Sequence, residues 1–225
     1  MGEYYKWVNI DKREYLNPID FDIGCKSKGS STRGNSLLNA LHQLLSSDWK
    51  NDKIIFLGDE IKLNGNEQKT VLSNFYEQTV EYGSPGNIYD VVCGTYKNIS
   101  GLFKAAEEEV RSEIDFSLLN LDDFLSSDIL KSYGIDIEQP YKGMFIREGK
   151  SLEYVINYTK NIAYSYKQTV IMFKDGTVDD SFDPLPLLMG FGNSVDCGEW
   201  VGDIVGVSDT LPEGIQLLDE LFHVW

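Results

Sequence analysis

The hydrophobic pattern changes period along the chain, and each change predicts an element. Tyr4-Tyr5-Lys6-Trp7-Val8-Asn9-Ile10 is aromatic and β-branched, which predicts a strand. Arg13-Glu14-Tyr15-Leu16 returns after the Asp11-Lys12 turn as the second arm of a hairpin, closed by Asn17-Pro18. Residues 24–35 are polar, rich in Gly and Ser, and read as a surface loop. Leu37, Leu38, Leu41, Leu44 and Leu45 form one apolar stripe of helical period, with Asn35 or Ser36 as its cap. His42 stands one residue off that stripe and reads as a boundary residue rather than a ligand. Ile54-Ile55-Phe56-Leu57 is a continuous apolar run, which predicts a central strand covered on both faces.

Beyond it, residues 67–80 read as a helix through Val71, Leu72, Phe75 and Tyr76. Gly83-Ser84-Pro85-Gly86-Asn87 breaks the chain, and Ile88–Cys93 reads as a strand. Two further helical patterns cover 101–114 and 117–133. Strand patterns follow at 144–147, 151–158 and 166–173, the last leading into the Lys174-Asp175-Gly176-Thr177 turn. Gly190-Phe191-Gly192-Asn193 reads as a loop, Ile204–Val207 as a short strand and 213–222 as a last helix. The expected fold is α+β, with mixed or largely antiparallel sheets packed against helices in one compact domain over 1–225.

One pattern returns. Asp48-Trp49 and Asp52 precede the strand Ile54–Leu57, and Glu199-Trp200 and Asp203 precede Ile204–Val207, with the tryptophans 151 residues apart. Val8-Asn9-Ile10-Asp11-Lys12 is echoed by Ile156-Asn157-Tyr158-Thr159-Lys160. A hairpin and a Trp-acid-strand element recur in the same order, which predicts two related halves around a shared core, with sub-halves 1–134 and 135–225.

Charge alters this picture more than bulk composition does. The 225 residues carry a formal net charge of -16. The acids are uneven: residues 101–149 hold eleven acids against five bases, and residues 175–225 hold eleven acids and no Lys or Arg. Such a field repels nucleic acid and anionic membranes and attracts cationic partners. Cys25, Cys93 and Cys197 are sparse, odd in number and outside any CxxC pair, which fits a reducing cytoplasm. There is no signal-peptide pattern and no membrane-spanning run, so the expectation is a cytoplasmic protein.

Candidate chemistry is thin. The 24–35 loop lacks the phosphate-binding pattern. Asp59 and Glu60 leave the apolar strand, where α/β folds often place a site, but a solvated turn explains them. Asp179, Asp180 and Asp183 do not follow a calcium-loop spacing. The cysteines have only His42 and His223 as histidine bases. No catalytic residue, metal ligand or cofactor is assigned.

Trp7-Val8-Asn9-Ile10-Asp11-Lys12-Arg13-Glu14-Tyr15-Leu16-Asn17-Pro18 and Asp48–Glu60 together resemble a group of uncharacterised bacterial proteins. In those proteins a VN-x-x-K-x-E-Y segment precedes a W-x-x-D-x-I/V strand ending in Gly-Asp. The resemblance covers about the first sixty residues and implies no activity. In charge and size the chain also resembles the acidic immunity proteins of bacterial toxin systems.

The leading functional expectation is therefore a binding protein that neutralises a basic protein partner. Its contacts would come from Glu107, Glu108, Glu109, Glu113, Asp122 and Asp123, and from Asp179, Asp180 and Asp183. The alternatives are a metal-dependent hydrolase built from carboxylates among Asp52, Asp59, Glu60, Asp179, Asp180 and Asp183, and a structural domain that forms oligomers through its apolar C-terminus.

Overall fold

The computed structural model describes residues 3–63, 71–103, 152–192, 197–218 and 221–223. Strands β1 (Tyr5–Asn9) and β2 (Glu14–Leu16) form the first hairpin. A 3-10 turn at Pro18–Phe21 and a short helix α1 (Ser27–Ser31) lead to helix α2 (Ser36–Ser46). Strand β3 (Ile54–Gly58) pairs antiparallel with β1. Helices α3 (Val71–Tyr82) and α4 (Ile88–Thr95) precede β4 (Lys97–Asn98), which lies parallel to β2. The second hairpin is β5 (Tyr154–Asn157) with β6 (Ile162–Ser165). After it come β7 (Val170–Met172), β8 (Val178–Asp179), helix α5 (Leu185–Leu188) and β9 (Gly190–Phe191). The chain then forms β10 (Val205–Ser208), β11 (Gln216–Leu217) and β12 (Leu221–His223). The fold is α+β with mixed sheets.

The strand order β4-β2-β1-β3-β9 of the first sheet contains the same unit as the order β11-β6-β5-β10 of the second. Register agrees residue by residue. Trp7 faces Leu16 across the first hairpin, and Val155 faces Tyr164 across the second. Asn9 pairs with Ile54, and Asn157 pairs with Val205. In both units a parallel edge strand closes the order, with Glu14 beside Lys97 and Ile162 beside Gln216. The two units meet at an antiparallel bridge between Lys53 and Ile204, which occupy equivalent positions. An antiparallel contact between equivalent residues is the one a local twofold axis generates.

Strand alternation divides the core in two. From β1, Trp7 turns inward to a cluster with the α2 leucines, Trp49 and Phe56, joined by Val155, Tyr164, Trp200, Val205 and Val207 of the second unit. Val8 turns outward, where Ile55 and Leu57 meet Phe75 of α3 and Ile88, Val91 and Val92 of α4. Both faces of β3 are therefore buried, as its unbroken apolar run requires.

Several elements depart from expectation. Ile88–Thr95 is a helix: Ile88, Val91 and Val92 recur at helical spacing on the buried side, and the Asn87 side chain accepts from the Asp90 amide as its cap. The polar 24–35 segment contains α1, with Ser30 and Ser31 buried. Gly190–Phe191 adds to the first sheet as β9, parallel to β3. In place of a last helix, 216–217 and 221–223 pair parallel with β6 and β7. The 166–173 strand is reduced to Val170–Met172. Residues 104–133 of the two acidic helices and the 144–147 strand lie outside the described residues.

Candidate functional site

The residues carrying the repeated motif form a latch at each hairpin turn. Asn9 is fully buried; its Nδ2 donates to Asp52 Oδ2 at 2.8 Å and its Oδ1 accepts from the Lys12 amide at 2.9 Å. Lys12 Nζ bonds the Asp48 carbonyl and lies 3.7 Å from Asp52 Oδ2. The second unit repeats every contact. Asn157 Nδ2 donates to Asp203 Oδ2 at 2.7 Å, and Asn157 Oδ1 accepts from the Lys160 amide at 2.9 Å. Lys160 Nζ bonds the Glu199 carbonyl and Asp203 Oδ2. Arg13 and Asn161, one residue beyond each lysine, both adopt positive φ. The latch joins the hairpin turn to the turn before the inner strand, so Asp52 and Asp203 serve the fold.

A buried polar cluster lies between the units. Asp183 is fully buried, at the head of α5. Its Oδ1 accepts from the Leu185 amide at 2.9 Å and from the Tyr164 hydroxyl. Its Oδ2 lies 3.5 Å from His42 Nε2 of α2. His42 stands edge-on to Tyr166, with ring centroids 5.0 Å apart, and the Arg33 guanidinium lies over the Tyr166 ring. Burial first, then the Asp183 charge, pushes the Tyr164 hydroxyl well above its ordinary value; Tyr166 rises for the same two reasons. His42 is thus a core residue and not a boundary one. Asp183 has no surface to offer a partner, so its place among the contact acids is corrected. Its signal in the sequence was local: an acid directly before Pro184, where a carboxylate can accept from the amides that open a helix.

The remaining acids divide by position. Asp175 and Asp180 are exposed and Asp179 is half-buried, all on the β7–β8 hairpin and its exit. The Thr177 amide holds the Asp175 carboxyl below its usual range, and the Ser181 hydroxyl and amide do the same for Asp179. Asp59 Oδ1 accepts from the Tyr4 amide at 2.9 Å, closing the end of β3. Among the described residues no group of three or more His, Cys, Asp or Glu is placed to hold a metal ion. Glu107, Glu108, Glu109, Glu113, Asp122 and Asp123 lie outside the described residues. Among those described, no helix is long and apolar enough to cross a membrane.

The chain matches no protein-family model, no curated protein and no solved structure.

Proposed function

We propose that this chain is a binding protein for a cationic protein partner, and that the partner is a toxin domain which the chain neutralises. The observation carrying this reading is the β7–β8 hairpin. It presents Asp175, Asp179 and Asp180 at the head of a segment, residues 175–225, that contains no Lys or Arg. Hydrogen bonds keep two of these carboxylates ionised, so their charge is fixed in position before any partner arrives. Opposed potentials of this kind accelerate encounter and set register, while salt screens them. The cytoplasm is where such a partner would be met.

The test begins with affinity capture from the native organism and elution over a salt series. The captured basic protein is then purified and titrated against the wild-type chain and D175K/D179K/D180K. The expected result is a loss of affinity of tenfold or more, on the order of 1.4 kcal/mol, with an unchanged unfolding midpoint. Equal affinity for both chains refutes the assignment of this surface.

A further inference from the structure

A buried lysine stands beside an exposed thiol. Lys6 lies between Tyr5 and Trp7 on β1, and strand alternation sends its side chain to the outer face, where α4 packs. The residue is 5% exposed. Its Nζ lies 4.3 Å from the centroid of the Tyr89 ring and 4.7 Å from that of Tyr15. Its Nζ also donates to Cys93 Sγ, at 3.1 Å. Among the described residues no Asp or Glu pairs with Lys6. A buried charge is ordinarily matched by an opposite one, and here two aromatic faces and a sulfur take that place. Cys93 sits in the last turns of α4 and is open to solvent, whereas Cys25, which also feels the Lys6 charge, is partly buried.

A nitrogen and a sulfur held 3.1 Å apart are within the range in which reacting atoms are positioned. We propose that Lys6 and Cys93 form an oxidative cross-link, a direct bond between Nζ and Sγ, when the protein meets a peroxide. In the first step the thiol attacks the peroxide. The O–O bond breaks, sulfur loses two electrons, one oxygen stays on sulfur as a sulfenic acid, and the other leaves as water. In the second step Nζ, its ammonium proton given up to solvent, attacks Sγ with its lone pair. The N–S bond forms, the S–O bond breaks, and the departing hydroxide takes a proton from nitrogen and leaves as water. One amine, one thiol and one hydrogen peroxide give one sulfenamide and two waters. A thiol reductant returns both side chains to their starting state. The product ties β1 to α4 covalently. Cys197 is the internal control, since among the described residues its sulfur contacts the Gly198 carbonyl and no lysine.

The experiment treats the folded chain with hydrogen peroxide, digests it without reductant and reads the peptides by mass spectrometry. The expected product joins the peptide containing Lys6 to that containing Cys93, lighter than the sum of the two by two hydrogens. It disappears on addition of dithiothreitol and is absent from C93S and K6R. K6R keeps a cation over both rings, and its unfolding midpoint checks that the fold persists. Three outcomes overturn the proposal: a Cys25–Cys93 disulfide, Cys93 oxidised to sulfinic or sulfonic acid with Lys6 free, or a linked pair that retains an oxygen atom. The wild-type digest decides among them even where a variant fails to fold.

Discussion

Asn9 and Asn157 each use both ends of one amide to join two turns, and glutamine, which carries the same amide, would set it one methylene further from the backbone. Replacing either by alanine strands a backbone amide and removes a donor from a carboxylate. We expect N9A and N157A each to cost about 1–3 kcal/mol in urea unfolding, by similar amounts. A large cost for one and none for the other would show that the two latches are not equivalent. Tyr164 supplies a pH dependence. Its raised value means that the folded state holds its proton when free tyrosines release theirs. The unfolded chain then binds fewer protons, so stability is complete below about pH 10 and declines as pH rises further. Unfolding midpoints between neutral and strongly alkaline pH should fall, and fall less steeply for Y164F. The asparagines were legible because they recur in matching strings. The contact between His42 and Asp183 was not, because distant segments meet there and neither residue has a repeat to expose it.

Among the elements, α4 shows how local composition misleads. Ile88, Val91 and Val92 suit a strand by residue type, yet the Asn87 cap and the need to cover the outer face of β1 and β3 make them a helix. The α2 stripe and the β3 run were legible because one keeps a helical period and the other stays apolar over its full length. Short pieces such as β9 and β11 have two residues each and no period to detect; they exist because a neighbouring strand has free backbone groups. The turn into α4 gives a test with an internal comparison. Gly83 and Gly86 both hold positive φ, but a Cβ at Gly83 meets open space, whereas one at Gly86 falls 2.3 Å from the Leu63 carbonyl oxygen. G83A should cost on the order of 1 kcal/mol and G86A clearly more, read from their unfolding midpoints. Equal costs would mean that the Leu63 segment yields freely.

For the whole molecule, charge and fold are separable. The latches and both cores hold the architecture, while the β7–β8 acids stand outside them. Asp175 and Asp179 have lowered values, so they stay ionised as pH falls through the ordinary carboxylate range near about 4, and under the proposed function any contribution they make to partner binding should disappear only below it. Affinity for a basic partner should therefore persist in mild acid and weaken with added salt. T177A and S181A, which remove hydroxyls beside these acids, test the point: S181A should shift the loss of binding toward higher pH, because the Ser181 hydroxyl is the leading cause at Asp179 and the amide is the leading cause at Asp175. An unshifted S181A profile would place the binding surface elsewhere.

The strand β9 has a consequence for how the chain assembles. In the first unit five positions separate Leu44, whose carbonyl bonds the Trp49 amide, from that tryptophan; in the second, twelve separate Leu188 from Trp200. The longer connection carries Gly190–Phe191 across to pair with Phe56 and Leu57. The second unit thus lends a strand to the sheet of the first, and residues of both units share one core. Loop closure over so many residues is slow to nucleate. A polypeptide divided between Phe103 and Leu152 would yield two fragments that are each incomplete and mutually complementary, so that mixing them should restore the native fold by association.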